Sequence, residues 1–89
     1  MKHIVPSSRF RKDVRRARRQ GRDLATLEAI IDLLAAGQHP PPRHRPHKLG
    51  GEYANYWECH VEPDWLLIYE VDDEAVYLVR AGSHAELFE

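Results

Sequence analysis

Eighty-nine residues, 43% hydrophobic and 30% charged, suffice for one small folded domain with a thin core and exclude a disordered chain. One cysteine, Cys59, excludes an internal disulfide and fits a reducing cytoplasm, and no apolar run approaches the length of a membrane span. The net charge of −1 conceals a division: residues 1–50 carry twelve Lys/Arg against four Asp/Glu, and residues 51–89 carry Arg80 alone against ten acids.

Such a split predicts a basic surface for a polyanion or an acidic partner, or two faces that attract each other within the fold. The opening MKHIVPSSRFRKDV lacks the apolar stretch of a secretion leader, so a cytoplasmic protein is expected. In chain order, His3-Ile4-Val5 is a short β-prone stretch closed by Pro6, and Ser7 or Ser8 can cap a helix. Phe10, Val14 and Ala17 recur at helical spacing, with Arg9, Arg11, Lys12, Arg15, Arg16, Arg18 and Arg19 around them. Gly21 ends this helix. Asp23 caps a second, whose apolar stripe is Leu24, Leu27, Ile30, Ile31 and Leu34, stopped by Gly37.

The proline-rich run His39 to Pro46 suits neither helix nor central strand and predicts a stiff, exposed loop. His47-Lys48-Leu49-Gly50-Gly51 follows. A strand is predicted over Tyr53 to Val61, then a Glu62-Pro63-Asp64 turn, a strongly apolar strand from Trp65 to Val71, a turn at Asp72-Asp73-Glu74, and a strand from Ala75 to Arg80. His84 to Glu89 reads as a short tail. The order β-α-α-β-β-β predicts an α+β domain spanning 1–89, with a two-helix hairpin on a mostly antiparallel sheet.

Six histidines are a high count for this length, and His47, His60 and His84 stand at element ends. Cleavage of RNA without metal needs a base for the 2′-hydroxyl, an acid for the departing 5′-oxygen, and a cation for the phosphate. Histidine suits the first two, because its charge changes near neutral pH, and Arg80 suits the third. Asp64 can orient a histidine or act as a base, and Phe88 or Trp65 can stack on a nucleobase. His3, His39 and His44 read as surface residues, Trp65 and Tyr69 as core, and Phe88 also as an anchor for the tail. Cys59, His47, His60, Asp64 and His84 include zinc-ligand types, but neither CxxC nor HExxH is present, so no metal and no cofactor is expected.

Longer motifs carry a resemblance. Cys59-His60-Val61-Glu62-Pro63-Asp64-Trp65-Leu66-Leu67-Ile68-Tyr69 resembles a signature of the YafQ branch of the RelE/ParE toxin superfamily. Arg80-Ala81-Gly82-Ser83-His84-Ala85-Glu86-Leu87-Phe88 is similar to that branch's R-x-G-[ST]-H-x-x-L-F ending. His47-Lys48-Leu49-Gly50-Gly51 resembles its H-x-L-x-G element, and Phe10 to Val14 the start of its first helix. The resemblance implies a RelE-like fold and a type II toxin that cuts mRNA, on the ribosome, without metal. It carries functional roles to His47, His60, Asp64, His84 and Phe88, with His84 as general acid and His60 or Asp64 as base. Arg11, Lys12, Arg15, Arg16 and Lys48 are the candidate RNA contacts, a sequence-independent and salt-sensitive grip.

The resemblance also implies a cognate antitoxin, of the ribbon-helix-helix DNA-binding type, and a toxin that is monomeric alone and hetero-oligomeric with it. Trp57 departs from the pattern, where related sequences commonly have arginine. Two other readings follow from the same fold: a ParE-like toxin that binds DNA gyrase without chemistry, and an inactive antitoxin-binding homologue marked by Trp57.

Overall fold

A computed structural model describes residues 1–88; the expected tail and the expected 1–89 domain both include Glu89, which lies outside them. Strand β1 (His3–Pro6) leads into helix α1 (Ser8–Arg19). Ser7 caps this helix, its Oγ accepting the Phe10 N–H at 2.9 Å and donating to the Val79 carbonyl at 2.7 Å. Gly21 takes φ 77°, which lets the Arg22 N–H reach back to the Ala17 carbonyl at 3.0 Å and stop the helix. Helix α2 (Ala25–Ala35) follows, with the Asp23 carboxylate on the Ala25 N–H at 2.9 Å. Its stripe is core as expected: Leu27, Ile30 and Leu34 are buried, with Leu24 and Ile31 packed beside them.

Among the described residues the sheet has five strands, against the four that the sequence predicts. Beyond β1 they are β2 (His47–Lys48), β3 (Trp57–Glu62), β4 (Trp65–Val71) and β5 (Ala75–Gly82), in the order β1-β5-β4-β3-β2. β1 lies parallel to β5 and the other pairs are antiparallel. β2 was not foreseen because two residues carry too little pattern; pairing with Glu58 and Trp57 makes it a strand. β3 starts at Trp57 rather than Tyr53, since Gly51–Tyr53 winds into a 3₁₀ turn.

Two other expectations need correction. The proline-rich segment is not uniformly exposed: Pro42–His44 forms a 3₁₀ turn, and His44 is buried, its Nδ1 donating to the His60 carbonyl at 2.8 Å. The chain end is helix α3 (His84–Phe88) rather than an irregular tail. Its start is a reciprocal cap, with the Ser83 N–H on the Glu86 carboxylate at 2.8 Å and the Glu86 N–H on Ser83 Oγ at 3.1 Å. Gly82 lets α3 fold this close, since a Cβ there would lie 3.1–3.2 Å from Glu86 and Leu87 atoms.

Both faces of the sheet are covered. Trp65, Leu67 and Tyr69 of β4 pack against α1 and α2 with Cys59, Val61, Val76 and Leu78. The alternate residues Leu66 and Ile68 face the other way, beneath Leu87, with Leu49, Tyr53, Tyr56 and Val79 around them. This second face carries His47, His60 and His84. Among the described residues, no helix is long and apolar enough to cross a membrane.

Candidate active site

Strand register builds the site. Across the second face, His47, Glu58, Ile68 and Arg80 are successive partners from β2 to β5. His60, Leu66 and Gly82 form the next row. Residues directly opposite in a sheet share a face, so these side chains stand together.

Two irregularities complete the arrangement. Val61 has no partner between the His60–Leu66 and Glu62–Trp65 pairs, and the bend brings Pro63-Asp64 over to the start of α3. Val79 is the extra residue of β5. Leu78 pairs with Tyr69 on the helix side, yet Arg80 pairs with Ile68 on the site side.

His84 opens α3, and its Nδ1 lies 2.6 Å from Asp64 Oδ1, which also accepts the His84 backbone N–H at 3.1 Å. A carboxylate that accepts both protons fixes the ring and leaves Nε2 free; the His84 side chain is 56% exposed. These bonds, the side-chain one first, hold the Asp64 carboxyl below its ordinary 3.8. A depressed folded-state value means a contribution to stability that is full above the ordinary value and lost as pH falls through the lowered one. Thermal melts of the wild type and Asp64→Asn should therefore differ slightly at neutral pH and converge in strong acid. A gap unchanged by acid would contradict the pairing.

The His84 ring centroid lies 6.0 Å from that of His60, and His60 lies 6.4 Å from His47. His60 Nδ1 faces the Pro63 carbonyl at 3.3 Å, and His47 Nδ1 faces the Arg45 carbonyl at 2.9 Å. Phe88 lies 6.4 Å from His84 and meets Tyr53 edge-on at 5.8 Å. The structure thus brings His47, His60, Asp64, His84 and Phe88 into one cluster. Beside it Arg9, Tyr53, Arg80, Glu86 and Phe88 line a cleft of about 440 Å³.

Arg80 belongs to this face, but its guanidinium is engaged. Nε lies 2.8 Å and a terminal nitrogen 3.2 Å from the two oxygens of Asp13, which is 3% exposed. Asp13 also accepts the Ala81 N–H at 3.0 Å, beyond the point where β1 stops pairing with β5. Arg16, a candidate RNA contact, joins the same network: it bonds Asp13 at 3.0 Å and Glu86 at 2.9 Å. Arg11, Lys12 and Arg15 are exposed on α1.

Lys48 sits apart from the histidines. Alternation turns it to the opposite face from His47, where its ammonium stands 5.9 Å from the Trp57 ring centroid. Trp57 packs with the helix-side core beside Tyr69, and His39 lies 6.4 Å from it. The exchange of arginine for tryptophan therefore falls on the far side of β3 from Glu58 and His60, which removes the motive for reading Trp57 as decay of the site. Glu58 and Asp13 were missed from sequence. Glu58 was within reach, since i, i+2 spacing from His60 puts both on one face. Asp13 looked like part of a charged helix surface.

Comparison with known proteins gives consistent matches. Residues 2–89 match the model of the family described as the YafQ toxin, a bacterial toxin of type II toxin–antitoxin systems. The mRNA interferase toxin YafQ of Escherichia coli K12 is 37% identical over 86 residues, 96% of this chain and 94% of that one. The crystal structure of a histidine-to-glutamine variant of E. coli YafQ superposes with a TM-score of 0.93, at 34% identity and full coverage of both chains. YafQ in the E. coli DinJ–YafQ complex gives 0.91 at 36% identity, again covering both chains fully.

Proposed function

Because the chain belongs to the YafQ family of type II toxin–antitoxin toxins, we propose that its histidine row is a metal-independent RNA-cleaving centre, with the His84–Asp64 pair at its heart. The protein is an endoribonuclease toxin, an mRNA interferase that inhibits translation. The observation that carries the site assignment is the 2.6 Å bond from His84 Nδ1 to Asp64, which leaves Nε2 as the one nitrogen free to exchange a proton with RNA.

His60 Nε2 takes the proton of a 2′-hydroxyl, and the 2′-oxygen attacks the adjacent phosphorus. The bond from phosphorus to the 5′-oxygen breaks, and the leaving oxygen takes a proton from His84 Nε2. The products are a 2′,3′-cyclic phosphate and a 5′-hydroxyl. His60 ends with one proton more and His84 with one fewer, and water restores both. Asp64 keeps the acid aimed and is occupied with it, which leaves His60 as the base. His47 supports His60, Arg80 offsets charge on the phosphate from the edge of the row, and Phe88 offers a ring face to a flanking nucleobase.

The exposed cations Arg11, Lys12 and Arg15 hold ribosomal RNA through phosphate contacts, placing mRNA on the ribosome before the row. Its place of action is the cytoplasm. The partner is a cognate antitoxin, as DinJ is for E. coli YafQ; it is a ribbon-helix-helix protein that covers the basic helix or the histidine face, and without it the toxin is a monomer.

Purified chain incubated with translating ribosomes tests the chemistry. Toxin stripped of metal with chelator and then dialysed into magnesium buffer should cleave at the rate of untreated toxin and yield fragments with 5′-hydroxyl ends. Loss of cleavage by the stripped toxin that a transition metal restores, or 5′-phosphate ends, would sink this mechanism.

A further inference from the structure

Glu58 has no part in the steps above, yet it lies at the centre of the row. It is 5% exposed, paired in register with His47 on one side and Ile68 on the other. A carboxylate withdrawn from water needs compensation. Among the described residues, the ionic partners of Glu58 are two histidines: Oε1 lies 3.4 Å from His47 Nε2 and 3.8 Å from His60 Nε2. Arg80, in the same row, is held by Asp13 instead.

A backbone carbonyl only accepts, so the His47 and His60 Nδ1 atoms, facing Arg45 and Pro63 carbonyls, carry hydrogens. The nitrogen left to exchange a proton is Nε2 on both rings, and both Nε2 atoms face one carboxylate oxygen. Distances of 3.4 and 3.8 Å are loose for hydrogen bonds, as is common before substrate tightens a site.

We propose that Glu58 is a positioning residue that couples His47 to His60 and balances the charge gained when one of them takes the 2′-hydroxyl proton. This rests on the ribonuclease reading of the row. Its place is opposite to that of Asp64, which steers the acid: Glu58 steers the base. Neither ring needs a metal for this role, and Glu58 touches no RNA.

Two readouts test it. In Glu58→Gln, of nearly equal size, kcat should fall about tenfold or more, the worth of a hydrogen bond to a charged group, with KM unchanged. Glu58→Asp should recover part of the loss. Independently of activity, the imidazole ¹⁵N resonances of His47 and His60 should move in Glu58→Gln while those of His84, held by Asp64, stay in place. Unmoved His47 and His60 resonances, a change in KM alone, or an aspartate variant no better than glutamine would each overturn the proposal. Should Glu58→Gln not fold, Glu58→Asp carries the test, with displaced His47 and His60 resonances and a reduced kcat expected. If His84→Ala leaves cleavage intact, the assignment of the chemistry to this row fails, and the resonances still decide whether Glu58 couples the two rings.

Discussion

His84→Ala should lower the rate of mRNA cleavage by about 10²–10⁴-fold, the usual contribution of a positioned general acid. The leaving 5′-oxygen would then depart without a proton donor at the one free ring nitrogen of the His84–Asp64 pair. Substrate affinity should hold, because the exposed cations of α1 are untouched. Asp64→Asn should cost less, since the ring remains and only its orientation is loosened. The double variant should be no worse than His84→Ala alone, because two groups acting as a unit are not additive. Transcript-end mapping in cells and single-turnover kinetics with purified protein measure all three. A double variant far slower than His84→Ala would give Asp64 a role separate from that ring.

The second large effect is on stability. Asp13→Ala removes the acceptor of Arg80, of Arg16 and of the Ala81 N–H in one step. Breaking a buried pair by deleting one partner costs about 3–5 kcal/mol. For a domain of this size each kcal/mol is about 4–8 °C in Tm, so melting should drop by at least about 12 °C. Arg11→Ala, on the exposed face of the same helix, should stay within about 0.5 kcal/mol of wild type. Urea unfolding with both variants decides it. An Asp13→Ala protein that melts within a few degrees of wild type would mean that the apolar contacts of Phe10 and Ala17 hold α1 on β5 alone.

Part of this was legible in the chain itself. Periodic apolar spacing marked Phe10, Ala17, Leu27, Ile30 and Leu34 as helix core, and all five are buried. The run Trp65 to Val71 reads as a strongly apolar strand, and β4 is covered on each side. The motifs alone mark His47, His60, Asp64, His84 and Phe88 as a candidate set. The cap that starts α3 was also written there, as Ser83 and Glu86 three residues apart, although the segment read as a tail.

Other features exist only in three dimensions. Strict alternation from Val76 and Leu78 would have placed Arg80 among the helices; the extra residue at Val79 turns it to the histidine face. Lys48 and Trp57 stand one position from His47 and Glu58 in sequence and on the other side of the sheet in space. Asp13 sits among arginines in an exposed-looking helix that offers it Arg16 at i+3, and only docking against β5 adds the Arg80 guanidinium and the Ala81 N–H to its carboxylate. The proposal of His84 as the acid came from the sequence, through the resemblance of its Arg80 to Phe88 ending. Its aim was decided by the fold, because the direction of Nε2 depends on Asp64, twenty residues earlier, and on a bend at Val61 that leaves no local trace in the chain.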